Sequence, residues 1–297
     1  MNSACKPARS TRNVNSLRAL ALAALGALYG ALPASATPVL SSDLASFTVL
    51  GASTVTNVPT STIAGNVGVG PGTSITGFNS VANASTSDSQ VTGTVESNTA
   101  LANNAQADLT TARTYLSGLG SGLTLGPDLT GLTLAPGVYT VLAGTTNLSG
   151  TLVLDALGLA DATWVFQTPS TLITSPNSVV QMTDIFNSGS GYGVYWNVGS
   201  AATIDTSSTF LGNVLALDLI AMNTSATDNC GRVLSDTKAV TLDHNTLDGS
   251  CTGLISSGGL SGEVSPNIPP GQVIPEPASL ALVAFALAGL AVTRRHS

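Results

Sequence analysis

The sequence predicts a mainly β protein, a β-solenoid with one long α-helix, from an internal repeat, a strand-like pattern and polar corners. Gly193, Gly212 and Gly231 begin similar phrases at successive spacings of 19 residues. The phrases "ATIDTSS", "IAMNTSA" and "VTLDHNT" follow them, with starts 18 and 20 residues apart. A nearly fixed period with alternating apolar positions and Gly, Ser or Asn corners is typical of solenoid coils stacked about 4.8 Å apart. A β-sandwich is the alternative, but it does not need such a period.

One segment, at about residues 98–117, departs from the strand pattern and predicts the helix. Asn98 or Thr99 can cap its start, and Gly118 follows its end. Because apolar residues recur every three or four positions, they share one helical face. This face must pack on an apolar surface, so we expect the helix along the side of the solenoid. Its residues are Leu101, Ala105, Leu109, Ala112 and Leu116.

Residues 1–36 have the layout of a secretory signal peptide. Basic residues come first, the apolar run "LRALALAALGALYGAL" follows, and Ala34-Ser35-Ala36 forms a small-residue cleavage site. A transmembrane helix is the alternative, but the run is short for a span and ends at Pro33. We therefore expect export, with a solenoid domain at residues 37–262 and a linker at residues 263–273.

The segment at residues 274–297 contains Pro275-Glu276-Pro277, an apolar run over 278–292, and then Arg294 and Arg295. These three parts, in this order, resemble the PEP-CTERM sorting signal of Gram-negative bacteria. The resemblance implies an exosortase-type processing enzyme as a partner, and a mature protein secreted across the inner membrane to the cell surface or its exopolysaccharide. A permanent single-span anchor, with its basic end on the cytoplasmic side, is the alternative.

The domain between these two signals has few charged residues. Charged residues are 8% of the whole chain, and the cations between the signals are Arg113, Arg232 and Lys238. A surface so poor in cations argues against nucleic acid as a partner. The domain has no metal-ligand spacing and no G-x-S-x-G nucleophile motif. We therefore predict no metal, no cofactor and no enzyme activity.

Two cysteines, Cys230 and Cys251, remain once the signal peptide is removed. An oxidising compartment favours a disulfide between them. Two free buried thiols are the alternative.

Eight phrases follow one another along the domain and together cover residues 40–250. They are "LASFTVLGASTVTNVPTSTIAGNVGVGPGTSITGF", "AQADLTTA", "LTLAPGVYTV", "LSGTLVLDA", "WVFQ", "VYWNVGSAATI", "TFLGNVLAL" and "AVTLDHNTLDG". In this order they resemble the ice-binding, or antifreeze, protein family of bacteria, fungi and diatoms. The resemblance implies a right-handed, discontinuous β-solenoid with a flanking α-helix, and a flat face that binds ice.

Repeated threonine phrases give the candidate site. Members of the family can carry a T-A/G-x-T/N pattern on the ice-binding face, and three phrases match its first and last positions, with Ser at the second. We predict that the matching residues lie on one solvent-facing strip of neighbouring coils. There, threonine methyl and hydroxyl groups order water with the repeat of ice. The residues are Thr174, Asn177, Thr206, Thr209, Thr224 and Thr227.

Three alternatives to this site follow from the residues. The next coil has His244 and Leu247 in place of the pattern, and corner threonines can simply satisfy backbone groups. Asp205 and Asp243 recur at one coil position, where a pair of carboxylates could act as acid and base, although a corner turn is favoured. A surface adhesin or exopolysaccharide-bound scaffold without ice activity is the alternative function, and a row of exposed aromatic residues would favour it.

Overall fold

The computed structural model describes residues 39–159, 162–185 and 192–249. Within these ranges the chain forms two helices, α1 (Ser42–Ala45) and α2 (Ala100–Ser117), and 24 strands. In chain order the strands are β1 (Phe47–Gly51), β2 (Thr54–Val58), β3 (Thr62–Ala64), β4 (Asn66–Val69), β5 (Ser74–Thr76), β6 (Ala84–Thr86), β7 (Val95–Ser97), β8 (Leu123–Leu125), β9 (Thr133–Leu134), β10 (Gly137–Val141), β11 (Thr146–Leu148), β12 (Thr151–Asp155), β13 (Thr163–Thr168), β14 (Leu172–Thr174), β15 (Val179–Thr183), β16 (Gly193–Val198), β17 (Ala202–Ile204), β18 (Thr209–Phe210), β19 (Asn213–Ala216), β20 (Ile220–Met222), β21 (Thr227–Asp228), β22 (Val233–Ser235), β23 (Val240–Asp243) and β24 (Thr246–Asp248).

These strands form the three sheets of a β-solenoid, which we name A, B and C. Sheet A has the order β6-β7-β4-β1-β22-β19-β16-β13-β10-β8. Sheet B has the order β11-β14-β17-β20-β23-β2-β5, and sheet C has the order β3-β24-β21-β18-β15-β12-β9. Neighbouring strands are parallel, except that β6 is antiparallel to β7. A complete coil gives one strand to each sheet, so the predicted mainly β solenoid with one long helix is confirmed.

The coils do not stack in chain order. Strand β1 lies between β4 and β22, so the first coil packs against the last. Val49 pairs with Val233 in sheet A, and Val55 pairs with Val240 in sheet B. The chain then continues through β4 to β7, crosses the molecule as α2, and builds the remaining coils back toward β1. The solenoid is therefore discontinuous, as the resemblance implied.

Arg232 joins the first coil to the last. The residue is 3% exposed. Nε and Nη2 donate to the carbonyl oxygen of Ala45 at 3.1 and 2.8 Å. Nη2 also donates to the carbonyl oxygen of Gly249 at 2.7 Å, and Nη1 donates to Asn213 Oδ1 at 3.0 Å. Buried charges are costly unless they are fully hydrogen-bonded, and these acceptors from three segments meet that need.

Asp228 is a second buried ionisable group near this junction. Its Oδ1 accepts hydrogen bonds from the backbone N–H groups of Gly212 and Cys230. Burial raises the pKa of this carboxyl group to about 8, and the two backbone bonds and the charge of Arg232 oppose that shift. Burial therefore favours the protonated form of Asp228 in the folded protein.

The helix α2 packs on the outward face of sheet A, close to the predicted position. Thr99 caps its start, since Thr99 Oγ1 accepts from the Ala102 N–H at 3.3 Å, and Gly118 is the C-cap. The predicted apolar face is buried apart from Leu101, which is partly buried. This face contacts a row of apolar side chains from sheet A: Leu50, Leu234, Leu215, Tyr195, Val165 and Val138.

The core inside the three sheets contains a row of aromatic rings. Tyr139, Phe166, Trp196 and Phe210 follow one another along the stack, with ring centroids 5.6, 4.0 and 5.1 Å apart. The first three are partners in the parallel register of β10, β13 and β16. Parallel strands bring equivalent side chains close together, so the rings can stack in an offset arrangement.

The predicted terminal signals lie outside the described residues. This applies to the signal peptide at 1–36, the linker, the sorting signal and Cys251. Cys230 is disulfide-bonded. Among the residues that the structure describes, no helix is both long and apolar enough to cross a membrane.

Candidate functional site

The open faces of the solenoid are the outward faces of sheets B and C, because α2 covers sheet A. In sheet B the side chains alternate between the core and solvent. In β17 and β20, for example, Ile204 and Met222 are buried, whereas Thr203 and Ala221 between their inward neighbours face outward. Each coil thus adds one layer to a surface that repeats about every 4.8 Å along the stack.

One outward position of sheet B forms an unbroken row across all seven strands, which we call the sheet B row. Each residue is the register partner of the next, without a bulge. All are at least partly exposed, and four are threonines. In stack order the residues of the sheet B row are Asn147, Ile173, Thr203, Ala221, Thr241, Thr56 and Thr76.

Residues that are small or apolar flank the sheet B row on the side nearer sheet A. Backbone hydrogen bonds align these positions between coils, for example from the Ala202 N–H to the Leu219 carbonyl and from the Ile220 N–H to the Ala239 carbonyl. The flanking residues are Thr171, Ala201, Leu219, Ala239, Thr54 and Ser74.

Polar residues flank the sheet B row on the side nearer sheet C. Asn223 Nδ2 donates to Asp205 Oδ1 at 2.8 Å, and the Thr224 hydroxyl donates to Asp243 Oδ2. The hydrogen bonds from Asn223 and from the Thr206 backbone N–H lower the pKa of the Asp205 carboxyl group. The hydrogen bond from Thr224 lowers the pKa of the Asp243 carboxyl group. This edge of sheet B is therefore negatively charged at neutral pH.

Sheet C carries a second aligned row, which we call the sheet C row. Its members are also register partners. However, β18 and β21 are two residues long, and the next outward positions include the polar or charged side chains of Gln181, Asn229 and Asp248. Sheet C thus presents one continuous row of small β-branched residues: Thr151, Val179, Thr209, Thr227, Thr246 and Thr62.

The six residues predicted from the sequence do not form one strip. Thr209 and Thr227 are neighbours in the sheet C row. Thr206 and Thr224 lie at the corner between sheets B and C, where Thr224 is exposed and Thr206 is half-buried. Their use in ice binding stays a prediction.

The prediction of a solvent-facing position was wrong for Thr174. Ile173 pairs with Thr203, so Thr174 is equivalent to the inward-facing Ile204 rather than to Thr206. Thr174 is 1% exposed, and its hydroxyl accepts from the Asp205 N–H at 2.7 Å. It supports the corner from inside.

Asn177 was also wrongly aligned with Thr209. Its N–H donates to the Thr206 carbonyl, just as the Ser207 N–H donates to the Thr224 carbonyl, so Asn177 is equivalent to Ser207. Asn177, Ser207 and Ser225 have φ values of 61°, 55° and 60°. Asn and Ser occupy this left-handed corner because short polar side chains tolerate it better than bulky ones.

The sheet B row was not predicted from the sequence, although a signal for it is present there. In "SIT", "ATI", "VTL" and "VTN" a threonine or serine lies next to a buried aliphatic residue, with the alternation of a half-buried strand. Assigning these tripeptides to one face requires the register between coils. The repeated corner phrases suggested a different register.

The corner near the sheet B row brings together the one described histidine and a carboxylate. His244 Nδ1 lies 2.6 Å from Asp243 Oδ1, and both side chains are partly exposed to solvent. Across the described ranges, no three His, Cys, Asp or Glu side chains are grouped so that they could hold a metal ion.

Comparison with known families agrees with the resemblance seen in the sequence. The profile of the family described as ice-binding-like matches residues 49–248. The profile of the PEP-CTERM protein-sorting motif matches residues 273–295.

Individual relatives and solved structures are similar over most of the domain. An ice-binding protein from Nostoc sp. (strain HG1) is 41% identical over 206 residues, which are 69% of this chain and 72% of the relative. A solved ice-binding protein from the Antarctic ascomycete Antarctomyces psychrotrophicus is 35% identical with a TM-score of 0.62, over 70% of this chain and 97% of the other. One from an Arctic yeast, described for its antifreeze activity, is 26% identical with a TM-score of 0.62, over 80% of this chain and 100% of the other.

Proposed function

Because the chain belongs to the ice-binding-like family, we propose that it binds ice, and that the outward face of sheet B makes the contact. The observation that carries the proposal is the unbroken register of the sheet B row across seven strands. Ice is a periodic array of water molecules without charge or pocket. A rigid surface with its own repeat can hold ordered water in a matching array.

The width of sheet B favours it over sheet C. An ice plane is two-dimensional, so a binding face needs aligned positions across the strands as well as along the stack. Sheet B offers its row and the small, partly apolar residues on the side nearer sheet A. Outward positions two residues apart on a strand are separated by about 6.6 Å. Sheet C offers one row, because the next outward positions include Gln181, Asn229 and Asp248.

The side chains of sheet B suit contact with ordered water. No lysine or arginine occupies an outward position in the described strands of sheet B. A threonine methyl group restrains nearby water, and its hydroxyl group anchors that water by hydrogen bonds. Ile173 and Leu219 are each 39% exposed and add apolar surface to the face. Thr206 and Thr224 lie at its edge and would extend the contact.

Sugar binding on this face has less support. Aromatic residues commonly stack on sugar rings, yet among the described residues Tyr115, on α2, is the exposed aromatic side chain. The others lie in the core or under the helix. We assign the protein no catalytic role, since its relatives are named as ice-binding proteins.

The sorting motif supports export to the cell surface. We infer that an exosortase-type enzyme processes residues 273–295 and that the mature protein then acts on or outside the cell, with exopolysaccharide as a further partner. Mass spectrometry of the surface-released protein checks this inference. A mature chain that still carries Arg294 and Arg295 would identify a simple membrane anchor instead.

Thermal hysteresis and ice-crystal shape test the proposed face. The change is Ala221→Tyr, at the middle of the sheet B row, where a large ring would hold the protein away from the lattice. Exposed substitutions usually change the free energy of unfolding by less than about 0.5 kcal/mol. We therefore expect thermal hysteresis to fall sharply, while the melting temperature of the protein hardly changes.

The matched control is Thr227→Tyr, in the sheet C row of the same coil, which should leave thermal hysteresis intact. Loss of activity in Thr227→Tyr with full activity in Ala221→Tyr would assign the contact to sheet C. Round, freely growing crystals in the presence of the unmodified protein would refute ice binding itself.

A further inference from the structure

Three columns of outward side chains run along sheet B. The first is the flanking set nearer sheet A, the second is the sheet B row, and the third lies two residues further along each strand. In β2 and β23, for example, the buried Asn57 and Leu242 separate the sheet B row from Val58 and Asp243, which are register partners. We call this last set the third column, and in stack order its residues are Ser149, Ser175, Asp205, Asn223, Asp243 and Val58.

The middle of the third column is charged. Asn223 Nδ2 donates to Asp205 Oδ1 at 2.8 Å, and the Thr224 hydroxyl donates to Asp243 Oδ2. Hydrogen bonds to the ionised form favour it, so they hold the pKa of each carboxyl group below its usual value. Both Asp205 and Asp243 are therefore charged at neutral pH.

The two ends of the third column carry no charge. At one end, the hydroxyl oxygens of Ser149 and Ser175 lie 3.0 Å apart and share a hydrogen bond. At the other end, Val58 is 48% exposed. Val58 follows Thr54 and Thr56 on the outward face of β2. This strand thus presents three neighbouring outward side chains without a charge.

A carboxylate and an alkyl side chain affect nearby water in opposite ways. Removing the hydration water of an ion is costly, and the ice lattice is neutral and supplies no counter-charge in return. An alkyl group binds its neighbouring water weakly, so that water can take up the arrangement of the lattice. A charged position in the third column therefore resists contact with ice, whereas Val58 permits it.

We propose that the third column sets the width of the ice contact, with Asp205 and Asp243 excluding ice from the middle coils and Val58 admitting it at β2. Outward positions on one strand are about 6.6 Å apart, so the contact spans about 6.6 Å across two columns in the middle coils. At β2 it spans about 13 Å across three columns. The two carboxylates thus hold the contact below the area that the register of sheet B allows.

This inference rests on the proposed function, since it concerns how much of sheet B contacts ice. The carboxylates also support the corner between sheets B and C, because Asp205 accepts from the Thr206 N–H at 2.7 Å and Asp243 accepts from Thr224. Thr206 and Thr224 lie beyond the third column. Their contact with ice is therefore weaker than that of the sheet B row.

Reciprocal substitutions at one pair of register partners test the proposal by thermal hysteresis. Asp243→Val gives β23 the residue that β2 carries at the same position, and Val58→Asp does the reverse. We expect hysteresis to rise in Asp243→Val, because a second coil gains the wider contact, and to fall in Val58→Asp. Asp243→Asn, which removes the charge and keeps an oxygen acceptor for Thr224, should also raise it. Circular dichroism and the melting temperature establish that each variant is folded.

The matched controls make the same changes on sheet C. Asp155→Val removes a carboxylate from β12, and Val179→Asp adds one to the sheet C row, and both should leave hysteresis unchanged. If Ala221→Tyr abolishes hysteresis while folded Asp243→Val and Val58→Asp match the unmodified protein, the proposed function stands and the third column does not set the width. A fall in folded Asp243→Val would also overturn the inference, because the carboxylate would then belong to the contact. An unmodified protein without hysteresis would refute the proposed function and this inference with it.

Discussion

Replacing Arg232 with Met should strongly destabilise the domain, because this side chain holds the first and last coils together. The change keeps the length of the apolar stem and removes the guanidinium group. Three buried acceptors then lose their donors: the carbonyls of Ala45 and Gly249, and Asn213 Oδ1. Each unsatisfied buried group costs about 1 kcal/mol or more, and removal of one partner from a buried charge network costs about 3–5 kcal/mol. We expect a loss of about 3–5 kcal/mol in the free energy of unfolding.

Urea denaturation measures this loss. Total stabilities of about 5–15 kcal/mol are typical, so the midpoint should fall substantially. For a domain of this size, the melting temperature should fall by about 6 to 20 °C. Lys238→Met is the control, because Lys238 is an exposed cation six residues away, and it should change the stability by less than about 0.5 kcal/mol. A loss below about 1 kcal/mol in Arg232→Met would show that the guanidinium group does not hold the coils together.

Three further predictions concern pH, the disulfide and the corner threonines. Burial raises the pKa of Asp228 from 3.8 to about 8, so the native state keeps a proton that the unfolded chain releases. The free energy of unfolding, measured by urea denaturation, should therefore fall as pH rises from 5 to 8, by up to about 1.4 kcal/mol per pH unit, and Asp228→Asn should remove that slope. Reduction of the Cys230 disulfide should lower the free energy of unfolding by about 3 kcal/mol if Cys251 is its partner. Two titratable thiols in unreduced, denatured protein would contradict this pairing. Thr206→Lys and Thr224→Tyr, at the edge of sheet B, should reduce thermal hysteresis less than Ala221→Tyr does. The control Asp155→Lys, on sheet C, should not reduce it. Unchanged hysteresis in both corner variants would exclude the corner from the contact with ice.

The helix and the repeat could be predicted because their signals are local. The apolar spacing from Ala105 to Leu116, the Thr99 cap and Gly118 all lie within about twenty residues, and each acts within one or two helical turns. The solenoid period near 19 residues was visible because three consecutive coils have almost equal lengths. Neither inference needed knowledge of contacts between distant segments.

The position of the face could not be predicted because it depends on register. The phrase "TSPN" looks like "TSST" and "TSAT", yet the structure offsets it by two positions, so that Thr174 faces the core like Ile204. The coil that contains Thr174 is also longer, since Ile173 pairs with Thr203, thirty positions onward. Inward apolar positions such as Ile204 and Met222 were the better guide, since burial fixes the register of a strand.

The placement of β1 beside β22 decides what happens to an incomplete chain. In a simple stack, loss of the final repeat shortens the rod by one layer. Here the final repeat, β22–β23–β24, lies in the middle, with the N-terminal coils on one side and β19–β20–β21 on the other. A chain that stopped before Val233 would lose the layer that both neighbours share, and each would expose an apolar edge. During synthesis and export, β1 cannot pair with β22 until almost the whole domain has been made. The solenoid is therefore completed only when nearly the whole domain is present.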